Sequence, residues 1–205
     1  MKISCINTGK RFNRDWIFRR LNYEFIEGKH YAITGPNGSG KSTLLQVIAS
    51  AVVSSEGKVD YEIKNKQLTA DEVFTRISIA APYLEVVEEM TLTEFFRFHQ
   101  IFKPLLPGTS VESIIETMGL QIAATKQIRN YSSGMKQRVK LAQAIFSDTP
   151  CLLLDEPCTN LDTEGIKLYH QLIRQFCGNR LVIVSSNDVQ EFSFCNHVLA
   201  ITDFK

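Results

Sequence analysis

The segment Gly35-Pro36-Asn37-Gly38-Ser39-Gly40-Lys41-Ser42-Thr43 constrains this chain more than any other. The apolar run Tyr31-Ala32-Ile33 before it reads as a strand, and Leu44-Leu45-Gln46-Val47-Ile48 after it has the spacing of a helix core face. Gly35, Gly38 and Gly40 let the backbone turn through positive φ and bring its N–H groups against an anion, to which the positive end of the helix dipole adds. Such a loop cradles phosphate. Lys41 would reach the β- and γ-phosphates, and Ser42 offers a hydroxyl to Mg²⁺. From average residue usage the pattern arises by accident on the order of once per hundred chains of this length. The strand–loop–helix order makes it rarer still, so the segment predicts a bound nucleotide.

A length of 205 residues fits one large domain, or one domain with an inserted lobe. Lys and Arg number 23 against 22 Asp and Glu, a net charge of +1 that excludes the broad basic field of a general nucleic-acid binder. Cys5, Cys151, Cys158, Cys177 and Cys195 are scattered without a CxxC pair, so they read as reduced, mostly buried thiols of a cytoplasmic chain. No run of about 18 apolar residues offers a membrane span, and the apolar part of Met1–Asn7 is too short for a signal peptide. Work at a membrane would need another subunit to supply the span.

Strands are expected at Ile3–Thr8 and Leu21–Ile26, with a basic turn over Gly9–Asp15 and a hairpin turn at Glu27–His30. Phe12 and Trp16 sit in or beside the basic turn, either packing at a sheet edge or offering a π-face to a base. An alternating strand ending near Tyr61 and a buried strand at Ile77–Ala80 follow. Thr91-Leu92-Thr93-Glu94 has the form of a capping box opening a helix to about Phe102, with Phe95, Phe96, Phe98 and Phe102 on its apolar face. A second helix is expected over Val111–Met118, and the whole middle segment reads as an inserted helical lobe.

Cys151-Leu152-Leu153-Leu154-Asp155-Glu156-Pro157 is an apolar strand ending in two acids, which is unfavourable unless the acids face a site. Asp155 can hold Mg²⁺ through water, and Glu156 can orient or deprotonate the water that attacks a γ-phosphate. Upstream, Tyr131-Ser132-Ser133-Gly134-Met135-Lys136-Gln137-Arg138 is a polar glycine turn opening a helix to about Ser147.

Taken in order, these motifs resemble the ATP-binding cassette (ABC) ATPases over essentially the whole chain. The family signature, usually Leu-Ser-Gly-Gly-Gln, stands here as Tyr131-Ser132-Ser133-Gly134-Met135, and the loop ending in Leu-Asp matches Thr159-Asn160-Leu161-Asp162. The family's adenine-stacking aromatic matches Phe12 best and Trp16 second. The resemblance implies an α/β fold: a P-loop NTPase core (1–83 and 145–205) with an antiparallel β subdomain and a helical lobe over about 84–144. It implies ATP and Mg²⁺ as cofactors, with Gly35 to Thr43 and Phe12 holding nucleotide, Ser42 and Asp155 holding metal, and Glu156, Lys41 and Asn187 acting in catalysis. Ser132 and Gly134 would face the γ-phosphate of ATP held by a second subunit. Two residues depart from the family. Pro82 stands where a glutamine is usual, leaving Tyr83, Glu85 or water to fill that role, and Asn187 stands where a histidine is usual. The implied function is the nucleotide-binding subunit of an ABC transporter, on the cytoplasmic face of the membrane beside a second ATPase subunit and a separate permease. An ATP-dependent clamp with slow hydrolysis and a soluble non-transport cassette are the alternatives. The layout also resembles haem-exporter ATPases of cytochrome c biogenesis.

Overall fold

The computed structural model describes residues 1–205. Its first part runs β1 (Lys2–Phe12), β2 (Asp15–Ile26), β3 (His30–Thr34), α1 (Lys41–Ile48), β4 (Glu56–Ile63), β5 (Lys66–Gln67), α2 (Ala70–Phe74) and β6 (Ile77–Ala80). Next come α3 (Leu92–Phe102), α4 (Val111–Thr117) and α5 (Ser133–Ile145), with short 3-10 turns before α5. The chain closes with β7 (Cys151–Asp155), α6 (Thr163–Phe176), β8 (Leu181–Ser185), α7 (Val189–Phe192), β9 (His197–Ala200) and a 3-10 turn at Ile201–Phe204. These elements form two compact units, one of Met1–Ile79, Pro150–Glu156 and Asn179–Lys205, the other of Ala80–Thr149 and Pro157–Gly178.

The first unit holds two sheets, an antiparallel one in the order β2-β1-β4-β5 and a second in the order β6-β7-β8-β3-β9. β7 and β8 are buried at every residue, as parallel strands covered on both faces must be, and pair in register from Cys151 with Leu181 to Asp155 with Ser185. Phe18, Leu21, Phe25, Ile33, Leu44 and Ile183 are among the residues of its core. Two expectations are corrected. β1 continues to Phe12 instead of turning at Gly9, and the tight turn is Asn13-Arg14, where Asn13 takes φ 53°, a left-handed conformation that asparagine tolerates. Glu27–His30 is not a hairpin, because half-buried β2 belongs to the antiparallel sheet and apolar β3 to the parallel one. His197 opens β9 and stacks on Tyr31 with ring centroids 4.9 Å apart.

In the second unit the Thr91 backbone N–H donates to Glu94 Oε2 at 2.8 Å and the Glu94 N–H to Thr91 Oγ1 at 3.3 Å, so the capping box forms at the start of α3. Phe95 and Phe96 are buried, but Phe98 and Phe102 are 43% and 52% exposed, correcting the single apolar face expected for all four. Phe98 lies two residues, roughly 200°, round the helix from Phe96, and pairs with Phe102 at 5.1 Å.

Candidate functional site

In the first unit, β7, β8 and β3 are parallel neighbours, so the segments leaving their C-terminal ends emerge along one edge of the sheet. That edge is where open α/β sheets bind ligands. The segments are Glu156 after β7, Ser186-Asn187 after β8, and the phosphate loop after β3.

The phosphate loop is folded around its own lysine. Lys41 is 5% exposed, and its Nζ donates to the carbonyl oxygens of Gly35 at 2.9 Å and Pro36 at 3.3 Å. The Ser39 N–H donates to the Pro36 carbonyl at 3.0 Å, and α1 starts after Gly40, whose φ of 102° an L side chain rarely adopts. There is also no space for one, since a Cβ on Gly40 would stand 2.2 Å from Ile17 Cγ2. A Cβ on Gly35 would meet Ser39 Oγ at 2.8 Å and Ile201 Cγ2 at 2.9 Å. Ile17 of β2 and Ile201 of the last turn thus prop the loop from beneath, and Lys205 Nζ bridges the Ile17 and Ser39 carbonyls at 2.9 and 2.7 Å. None of these props carries a sequence motif. The two isoleucines show in the sequence only their apolar character.

Asp155 ends β7 at 2% exposure, and its Oδ1 has no hydrogen-bond partner within the protein. Its register partner Ser185 is fully buried, with Oγ equally unpartnered, and so is Ser39 Oγ of the loop. Buried orphaned oxygens are rare, because each forfeits its hydration without return. A carboxylate oxygen and hydroxyls of this kind suit a hard divalent cation with its waters and phosphate oxygens, so the residues present fit Mg²⁺-nucleotide. Glu156 takes φ 44°, a left-handed conformation uncommon outside glycine and asparagine, held by its N–H on the Ser185 carbonyl at 2.9 Å. Asn187 Oδ1 accepts from the Gly35 N–H at 3.3 Å and its Nδ2 donates to Asn37 Oδ1 at 2.9 Å, so this residue is tied to the phosphate loop.

Phe12, 48% exposed at the end of β1, has Lys10 Nζ 5.0 Å from its ring. Trp16 is stacked by Arg19 at 4.0 Å, whose guanidinium is bidentate to Glu56 at 3.0 and 3.2 Å and holds that carboxyl below its ordinary range. Of the two aromatics, Phe12 has the more open ring.

Ser132 and Gly134 belong to the other unit. Ser132 caps α5, its Oγ accepting from the Met135 N–H at 3.2 Å, and a surface cavity of about 580 Å³ opens beside it and Gly134. The exposed Pro82 gives its carbonyl to Lys140 Nζ at 3.1 Å, and Lys136 pairs with Glu88 at 2.6 Å. Helix α6 was not anticipated, although Asp162 at its start accepts the Gly165 N–H at 2.7 Å and Ile166, Tyr169, Leu172 and Ile173 keep helical spacing.

The family model described as ABC transporter matches residues 18–159. The ABC transporter ATP-binding protein YybJ of Bacillus subtilis is 28% identical over 200 residues, covering 96% of this chain and 91% of that protein. The cytochrome c biogenesis ATP-binding export protein CcmA of Xylella fastidiosa is 31% identical over 153 residues, 75% of this chain and 68% of CcmA. Among solved structures, a dimeric bacterial ABC transporter cassette superposes with a TM-score of 0.81 at 23% identity, covering 97% of this chain and 93% of that one. The same cassette in a post-hydrolysis state bound to ADP and Pi gives 0.81 at 24% identity, with the same coverage. At these identities the superpositions speak to the fold.

Proposed function

Given that this chain belongs to the ABC transporter family of ATP-binding proteins, we propose that its phosphate loop, Asp155, Glu156 and Asn187 form half of an ATP site completed by Ser132 and Gly134 of a second cassette. The chain is an ATP-hydrolysing subunit that powers a transporter. The observation that carries the assignment of residues is Asp155, a buried carboxylate with an unpartnered oxygen at the end of the strand beside β8.

In this reading Lys41 exchanges the Gly35 and Pro36 carbonyls for β- and γ-phosphate oxygens, while the loop N–H groups hold the remaining oxygens. Ser42 and Asp155 would hold Mg²⁺, which when bound offsets negative charge on the phosphates. Glu156 orients the attacking water and accepts its proton, and Phe12 stacks on the adenine. Asn187 leaves Asn37 and donates its amide N–H to the γ-phosphate. An amide is neutral and a charge-assisted bond is about twice as strong, so Asn187→His is expected not to lower the hydrolysis rate. A fall of tenfold or more in a steady-state ATPase assay would show instead that the asparagine is specifically fitted to this loop.

No helix of the chain is long and apolar enough to cross a membrane. A separate transmembrane permease forms part of the proposal, with the cassette on its cytoplasmic face. The shared site is tested by concentration: specific activity of the purified chain is expected to rise with protein concentration and then level off, and Ser132→Arg to be inactive throughout. Constant specific activity together with an active Ser132→Arg protein would sink the composite site.

A further inference from the structure

The first turns of α5 clasp the segment that follows Glu156. Gln137 is 4% exposed, and its Nε2 donates to the Pro157 carbonyl oxygen at 2.7 Å. One turn earlier, Gly134 lies so near the Asn160 carbonyl oxygen that a Cβ there would stand 2.9 Å from it. Arg138, next to Gln137, reaches Asp162 Oδ1 at 3.5 Å. The Gln137 bond is the shorter of these two hydrogen bonds and comes from a buried donor, and its acceptor belongs to the residue covalently bonded to Glu156.

That connection bears on a strained backbone. A non-glycine residue in the left-handed region persists only where its surroundings over-determine it. Glu156, with φ 44°, is fixed on one side by its own N–H on Ser185. On the other side comes Pro157, whose ring fixes φ and whose only backbone polar group, the carbonyl, is the one Gln137 holds. An apolar side chain of the same length would leave that carbonyl without this donor and let the segment relax.

We infer that Gln137 is a positioning residue for hydrolysis: by holding Pro157 it keeps the adjoining Glu156 carboxylate in its reacting orientation. The inference rests on the reading of Glu156 as the residue that positions that water. Gln137 itself touches neither nucleotide nor water in this scheme.

The test uses the purified full chain and steady-state hydrolysis over a range of ATP concentrations that reaches saturation. Gln137→Met is expected to slow hydrolysis about tenfold to a hundredfold, the range expected for misplacing a catalytic group, while KM for ATP stays within about twofold. Gln137→Glu, which sets a carboxylate oxygen against the carbonyl, is expected to do the same or worse. In a Glu156→Gln background, Gln137→Met is expected to add nothing further, because no carboxylate is left to orient. A Gln137→Met rate within twofold of wild type overturns the inference, as does a further tenfold loss in the Glu156→Gln background, which a general packing role would produce. Should Gln137→Met fail to fold, Gln137→Glu carries both comparisons. Hydrolysis unchanged by Glu156→Gln alone overturns the carboxylate reading together with the inference, whereas an inert Gln137 overturns the inference alone.

Discussion

Replacing Glu156 by Gln is expected to cut ATP hydrolysis by about 10² to 10⁴-fold, the usual range for loss of a positioned general base, while ATP affinity changes by less than about threefold. The substitution isolates charge from shape. Glutamine is isosteric and can keep the φ of 44° and the N–H bond to Ser185, so neither β7 nor the phosphate loop needs to move. What would disappear, in the proposed scheme, is an acceptor for the proton of the attacking water. Because binding survives and turnover does not, the variant should also hold ATP long enough for a two-cassette complex to be seen by size-exclusion chromatography. Rates within tenfold of wild type in a single-turnover assay would remove Glu156 from the catalytic scheme.

Lys41→Ala is expected to act at the other end of the sequence of events, on binding. Its Nζ lies against two loop carbonyls at 2.9 and 3.3 Å, and at 5% exposure it is nearly dry. Losing a charge-assisted bond is worth on the order of 2–3 kcal/mol, or roughly 30- to 150-fold in affinity at about 1.4 kcal/mol per decade. Alanine is a good helix former, so α1 should persist and the melting temperature of the free protein should stay within a few degrees. Lys41→Arg is not expected to rescue binding, since a planar fork cannot occupy the space of a compact ammonium held by two carbonyls. A nucleotide titration giving a Kd within threefold of wild type for Lys41→Ala would contradict this role.

The parts of the fold legible in the sequence were those where local chemistry and tertiary position agree. Gly35 to Thr43 could be read because glycine, lysine and hydroxyl spacing records the shape of a loop, and Cys151–Asp155 because a strand buried on both faces is apolar at almost every residue. The capping box at Thr91 and Glu94 was readable for the same reason, as a cap is a contact between near neighbours. What could not be read depends on partners distant in sequence. Whether Glu27–His30 closes a hairpin turns on which sheet β3 joins, and that is decided by β8 and β9, more than a hundred residues away. Phe98 and Phe102 are as apolar as Phe95 and Phe96, and only the direction from which other helices pack separates them. At the site, the tether of Asn187 to Asn37 spans 150 positions and has no local signature. Gln137 stood in a recognisable motif, but a polar side chain at the start of a helix gives no sign that it will be buried.

The two isoleucines beneath the phosphate loop have a thermodynamic consequence. Ordering a free backbone takes about 1–2 kcal/mol of conformational entropy per residue, so a glycine-rich loop that became ordered only on meeting its ligand would weaken its own affinity severely. Here that entropy is surrendered during folding, because Ile17 and Ile201 pack where side chains on Gly40 and Gly35 would otherwise be. In the proposed site, ATP would therefore meet a loop that is already folded. Substitutions at Ile17 or Ile201 would show themselves calorimetrically, as a less favourable entropy of nucleotide binding, before any change in the chemistry of the phosphates.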